Sequence, residues 1–454
     1  MKNNSAMKKF LGVSMTAILA AGTIAGCGSS SKSGTSAASD TSAAVESAEG
    51  ESGAASSGDT IKIGGTFTLT GDLAHSGTLA YEGAEAAVKY VNEELGGING
   101  KNVELVYYDD EFDSGKIPSL YEKLISVDKV DLLVSPYTSA LLDAAPTVDQ
   151  YGKLMFSVAA DSYEANNTYG QTVANIQMDD EWQGGMWWKD VAEFLCSYDD
   201  WATSDSPEKP KTVAIVNLET TYGHEVSTAL NKYFSENGLD VVYEEFFDPG
   251  NADWTATISK LKQLDPDVVI NTQYFDDGVK FTQQCKSMDY SADYMVIEAQ
   301  GWDAMDWCNP DQGGLTPSDA KKNFLSYSVY KPTRDAESTK WLADYCKEKY
   351  NSVPGNDLIC GFMAVELACK AAAKANSFEK DDLIKVLTEN TFDLAGYDYK
   401  MNETGGNCAD FSWGVGQYQP ADLSKADTSG DDWQILWPKD LATSTPNLPF
   451  QGWD

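Results

Sequence analysis

Hydrophobic positions along the chain switch between two periods. Residues 60–69 alternate and then turn apolar, the mark of a first strand. Ala80, Ala84, Ala87, Val88, Val91 and Leu95 then recur at three and four, one face of an amphipathic helix that Gly96-Gly97 stops. Asn99-Gly100 makes a tight turn into a strand over 103–108, and Ile117, Leu120, Tyr121, Leu124 and Ile125 line the next helix. Residues 131–161 read strand, loop, helix, strand, loop. Their apolar runs, 132–134 and 154–158, suit parallel strands buried on both faces, and small or hydroxylic residues follow each run. The order β-α-β-α-β-α-β predicts a parallel, doubly wound sheet with right-handed crossovers, whose ligands settle outside the carboxyl ends of the strands.

Around 175–180 the pattern pauses. A Trp-rich helix is expected over 182–195 and a polar insertion over 198–211. The same alternation then restarts, with strands at 212–217, 241–247, 268–271 and 294–298 and helices at 225–237, 254–264 and 279–288. Two consecutive α/β units of similar size predict an α/β fold of two doubly wound parallel-sheet lobes, joined by a hinge and facing each other across a cleft. Helices at 338–350, 357–376 and 381–390 precede a Gly- and Trp-rich tail. The expected division places 60–178 and about 330–395 in the first lobe, and 179–329 and about 396–454 in the second.

With 454 residues, of which 42% are hydrophobic, the chain has material for two such cores. A formal net charge of -37, from 70 acidic and 33 basic residues, excludes nucleic acid and anionic lipid surfaces as partners. Lys2, Lys8 and Lys9 precede an apolar run, 10–21, that is too short to span a bilayer and leads into Ile24-Ala25-Gly26-Cys27. That ending resembles the bacterial lipobox, whose cysteine is acylated and becomes the new N-terminus; the alternative is an ordinary secretory signal with a chance cysteine. Residues 28–59 collapse to Ser, Ala, Gly and Thr with a few acids, a flexible tether spanning roughly 30 Å as a random coil. The expected location is therefore the extracellular face of a bacterial cell membrane, lipid-anchored through Cys27. Of the cysteines after Cys27, Cys346, Cys360 and Cys369 sit in helical, partly apolar runs and read as buried thiols, while a disulfide using Cys308 or Cys408 stays open.

The folded part resembles the solute-binding proteins of branched-chain amino-acid ABC transporters, the type I periplasmic binding-protein family. The residues carrying the resemblance are IKIG and LTG within 61–71, GAEAAVKYVNEELGGINGKNVELVYYDD at 83–110, and VDLLVSPYTSA at 130–140. Tyr222-Gly223, FDPGNADW at 247–254 and PDVVINTQYFDDGVKFTQQCKSM at 266–288 extend it. The resemblance implies a ligand pinned at strand ends of the first lobe, with Ser139 matching a serine that binds the ligand carboxylate and Ala159 and Ala160 matching backbone contacts. From the second lobe it implies Tyr222 and Tyr274. Two positions depart from the family: Asp161 stands where a threonine is usual, and Gln300 where a glutamate binds the ammonium group. A carboxylate at Asp161 would then pair with a cationic amine. Trp182 and Trp302 add aromatic surface near the cleft, which also suits an aromatic acid, an amide or a nucleoside.

Each of these residues has a plainer use. Ser139 also fits a helix N-cap, Asp161 a turn, and the tyrosines simple packing at strand ends. The cluster Asp109, Asp110, Glu111 and Asp113 lacks the glycine and terminal glutamate of an EF-hand loop and reads as a solvated strand end. His75 stands in the loop after the first strand, where it can rim the cleft. No nucleophile-base set, phosphate loop or metal motif is present, so neither catalysis nor a cofactor nor a metal is expected. The reading is a monomeric binding protein that presents a small polar ligand to an ABC permease; a ligand sensor for a membrane receptor is the alternative, and an amide-processing enzyme a distant third.

Overall fold

The computed structural model describes residues 60–71, 73–135, 138–158, 163–179, 184–185, 187–251, 253–299, 304–409 and 412–453. The first unit runs β1 (Ile61–Phe67), α1 (Ala74–Glu93), β2 (Val103–Asp109), α2 (Ile117–Ser126), β3 (Leu132–Ser135), α3 (Thr138–Gln150), β4 (Met155–Ser157), α4 (Tyr163–Tyr169) and β5 (Val173–Asn175). Its strands form one parallel sheet in the order β2-β1-β3-β4-β5. The second unit follows α5 (Trp187–Cys196) and runs β6 (Thr212–Leu218), α6 (Thr221–Asn237), β7 (Asp240–Phe247), α7 (Thr255–Leu264), β8 (Val268–Thr272), α8 (Phe275–Ser287) and β9 (Tyr294–Ile297). These strands make a second parallel sheet, β9-β8-β6-β7. The doubly wound α/β architecture expected from the alternation is thus present in both units.

Past β9 the chain enters β10 (Ser326–Tyr327), then returns through α9 (Glu337–Tyr350), α10 (Asn356–Ala375) and α11 (Lys380–Glu389). It ends in β11 (Val415–Tyr418) and β12 (Trp433–Trp437), which pair antiparallel with each other and, through β11, with β10. α10 is buried nearly all round, as its unbroken apolar and small sequence requires. It packs on α1 so closely that a Cβ at Gly361 would lie 1.8 Å from the Ala80 carbonyl oxygen, and one at Gly83 1.9 Å from that of Leu358. A helix 280 residues downstream of α1 in rough count thereby seals the first sheet.

Local departures from expectation have local causes. Gly184–Gly185 pairs in a short hairpin with Met178–Asp179, so the Trp-rich helix begins at Trp187; glycines disfavour a helix and suit a hairpin. α6 and α8 begin at Thr221 and Phe275, a turn earlier than the apolar periodicity indicates, because Thr220 caps α6 through a bond from Gly223 N and the first turns carry polar residues. Asp110 is buried, not solvated: it accepts bonds from Thr68 Oγ1 at 2.7 Å and Phe112 N at 3.0 Å. Beside it, burial alone would raise the Asp109 carboxyl, but bonds from Thr70, Leu69 and Glu111 hold it below the usual range. The two acids fasten the loop between β1 and α1. Cys308, Cys346, Cys360 and Cys369 are buried and Cys408 is exposed, and none of them forms a disulfide with another described residue.

Gly361→Val is expected to destabilise the protein by roughly 3 kcal/mol or more, because the side chain has no room against the Ala80 carbonyl. A lowered urea midpoint at unchanged slope is the readout; an unchanged midpoint would mean that the helix pair is not tightly packed.

Candidate functional site

Polar and aromatic groups collect at the carboxyl ends of the strands of the second sheet. α6 starts against its own strand, since a Cβ at Gly223 would lie 1.9 Å from the Leu218 carbonyl oxygen. That close approach brings Tyr222, in the first turn, over the sheet end, where it is buried. Its hydroxyl donates to Glu298 Oε1 at 2.5 Å and accepts from Trp188 Nε1 at 2.9 Å. Glu298 directly follows β9 and is only 1% exposed. Tyr327, in β10, donates to the same Oε1 at 3.0 Å. Trp188 and Trp413 meet the Tyr327 ring edge-on at 5.5 and 5.4 Å.

Both tyrosine hydroxyls serve one carboxylate oxygen. The other, Oε2, is buried without a hydrogen-bond partner among the described residues. Burial pushes the Glu298 carboxyl up to about 8, with the bonds from Tyr222 and Tyr327 pulling it partly back. Tyr274 follows β8 as the N-cap of α8, and its ring lies parallel to that of Tyr222 at 6.5 Å. It borders a cavity of about 230 Å³ whose walls include His75 and Ser76 from α1, and Asp277 and Lys280 from α8. Across that space the His75 ring stacks on Phe275, centroids 4.0 Å apart, and His75 Nε2 lies 3.3 Å from Asp306 Oδ2. His75 belongs to the first turn of α1, not to a loop, and joins the first unit to the second.

Of the residues singled out in the sequence, Tyr222 and Tyr274 are therefore brought together. Ser139 is described only as a member of the first turn of α3, directly beyond β3. Cys27, Ala159, Ala160, Asp161, Trp182, Gln300 and Trp302 lie outside the described residues. Glu298 was not among the sequence candidates. Its signal was available: a single acid closes the apolar run of β9, two positions before Gln300. Burial of an acid at that place is visible only when Tyr222, Trp188 and Tyr327 converge on it.

Comparison with known proteins adds the following. The family model described as periplasmic binding protein matches residues 60–419. The leucine-, isoleucine-, valine-, threonine- and alanine-binding protein of Pseudomonas aeruginosa is 26% identical over 322 residues, 70% of this chain and 79% of that protein. The branched-chain amino-acid transporter substrate-binding protein of Streptococcus pneumoniae, solved with isoleucine, superposes with a TM-score of 0.66 at 21% identity, covering 84% of this chain and all (100%) of that one. An ABC-transporter solute-binding protein of Rhodopseudomonas palustris, solved with 3,4-dihydroxybenzoic acid, superposes with a TM-score of 0.67 at 17% identity, covering 85% and 99%.

The raised Glu298 carboxyl gives stability a pH signature. Between the ordinary glutamate value and about 8, the folded protein keeps a proton that the unfolded chain has released, so this group's contribution falls as pH rises through that window. Denaturant unfolding at pH 5 and pH 8 is expected to show the parent losing more stability across the interval than Glu298→Gln does, by a few kcal/mol. Equal losses would mean that Glu298 is not held neutral.

Proposed function

The chain belongs to the periplasmic binding protein family, the solute-binding proteins of ABC transporters, and on that premise we propose that it is an extracellular lipoprotein that captures an amino acid or a similar small polar amine and delivers it to an ABC permease. The observation that carries the ligand reading is Glu298: a buried carboxyl at a strand end, with one oxygen held by two tyrosines and the other without a partner among the described residues. A cationic amine fits that oxygen. Its charge offsets the burial that keeps the carboxyl protonated, so binding expels the proton and leaves a charge-assisted pair in a dry setting. Ser139, at the start of α3, is assigned to the ligand carboxylate, with Ala159 and Ala160 as backbone contacts and Asp161 as a second acid toward an amine. Tyr222 and Tyr274 form the aromatic wall, completed in this reading by Trp182, Gln300 and Trp302. The contacts of His75 with Phe275 and Asp306 support a hinged pair of lobes that close on the ligand.

In this assignment the first lobe comprises 60–178 and about 330–408. The loop up to Asn407 stays with the first sheet, since Asn407 Nδ2 donates to Ile176 O at 3.2 Å and Asn175 N donates to Gly405 O at 2.8 Å. The second lobe takes the remainder of the folded chain, and acylation of Cys27 anchors the protein at the cell surface.

A second reading, an aromatic carboxylic acid as ligand, is favoured by the parallel rings of Tyr222 and Tyr274 and by a Glu298 that is neutral near pH 7 and therefore donates a hydrogen bond to a carboxylate. In either case the protein binds without turnover.

A thermal-shift screen of the protein against amino acids, polyamines, aromatic acids, amides and nucleosides is expected to find a ligand that adds about 2.7 kcal/mol at 100 times its Kd. For an amine, Glu298→Gln and Asp161→Asn weaken binding and calorimetry registers proton release below pH 8; Ser139→Ala weakens any carboxylate. For an aromatic acid, Glu298→Gln leaves affinity nearly intact. A hit that binds all three variants as tightly as the parent places the site elsewhere. Uptake of that ligand by cells is expected to disappear on deletion of the protein; retained uptake would favour a sensing role.

A further inference from the structure

The segments that run between the sheets border a second, open cavity of about 480 Å³. Its lining comes from the stretch after β10 (Lys331, Arg334), the loop at Gly396 and Tyr397, Ser412 before β11, and Pro438 and Leu441 after β12. None of these residues belongs to the strand-end site around Glu298.

Two of the chain's 33 basic residues stand here, and they differ in kind. Arg334 is satisfied: its Nη2 lies 2.5 Å from Asp393 and 2.6 Å from Asp398, and its Nε donates to Leu394 O. Lys331 is not. The residue is 4% exposed; among the described residues its ammonium donates only to the carbonyls of Val329 and Gly396, at 3.3 and 3.4 Å, and it lies 5.8 Å from the centroid of the Tyr397 ring. Among the described residues it forms no ion pair. The buried acid whose charge it feels, Asp190, is engaged by the backbone N–H groups of Trp413 at 2.6 Å and Gly414 at 3.0 Å. Burial pushes the Lys331 amine down to about 7, with Asp190 pulling it partly back. Ser412 Oγ, on the same cavity, also finds no partner among the described residues. A buried, poorly solvated cation beside an open cavity is stabilised by whatever brings it a negative charge.

We propose that this cavity is a second ligand site, for a small monocarboxylate whose charged end pairs with Lys331 and whose apolar body lies against Tyr397, Pro438 and Leu441. The charge count selects a monoanion. Arg334 has no charge to spare, and the carboxylates of Asp335 and Asp440 on the lining, within a chain of net charge -37, repel anything more negative. The volume accommodates an aliphatic or single-ring acid, and the half-apolar lining suits such a body better than it suits phosphate. An acid bound here bridges the segments by which the chain leaves the second sheet and returns to it.

The test uses the full protein with propionate as probe, followed by saturation-transfer NMR and titration. Saturable binding is expected, weakened roughly tenfold or more in Lys331→Met, which removes the cation while keeping an apolar stem that the buried position tolerates. Leu441→Trp, which fills the cavity from its rim and leaves Lys331 in place, is expected to weaken binding as much. Ser139→Ala, which weakens a carboxylate held in the cleft, retains it. Absence of propionate binding overturns the proposal, as does undiminished binding in both cavity variants. Loss confined to Ser139→Ala places the probe in the cleft and overturns it as well, while leaving the cleft reading standing.

Discussion

A carboxyl group taken out of water at the end of β9 sets the terms for the elements around it. Glu298 cannot be buried there unless donors reach it, and the donors come from separate parts of the chain: Tyr222 from the first turn of α6 and Tyr327 from β10. Trp188, from α5, fixes the Tyr222 hydroxyl in turn. Each of those elements must therefore stop or start within a fraction of a turn of its observed place. The glycine at 223 makes this possible, because any side chain there would push α6 off the end of β6 and carry Tyr222 away.

The first unit meets a comparable demand through backbone contact. The strand-to-helix passage from β1 to α1 is held by Asp109 and Asp110, and a Cβ at Gly77 would lie 1.7 Å from the Thr68 carbonyl oxygen. This seating presents His75 to Phe275 and Asp306. Along its length α1 also fits against α10 by glycines on both helices. Rigid seating of α1 at both places turns a histidine of ordinary reach into a contact between units, and it is the same device, small residues under strand ends, that places Tyr222.

Much of this was written in the periodicity. Apolar runs such as 132–134 and 268–271 became parallel strands because both faces are covered by helices, and the apolar spacing of α1 and α2 marked the faces that are buried. The first turns of α6 and α8 leave no mark in the periodicity because their residues, Tyr222-Gly223-His224 and Phe275-Asp276-Asp277, follow no apolar period; capping and close backbone approach decide where those helices begin. The acids at 109–113 looked uniformly solvated because sequence carries charge but not depth, and only the folded loop shows that Asp110 is enclosed by Thr68 and Phe112.

By itself the sequence determined the class of fold and the repeated α/β unit, because both follow from local periodicity and short-range spacing, whereas Tyr222 and Tyr274 were singled out by the family resemblance. The tertiary structure alone decided that Glu298 is buried on a pair of tyrosines, that His75 reaches across to Phe275, and that the Lys331 ammonium is held by two backbone carbonyls beside a cavity. The physical reason is the same in each case. The protonation and the partner of a charged side chain depend on which distant segments exclude water from it, and that is settled by packing between residues far apart in the chain.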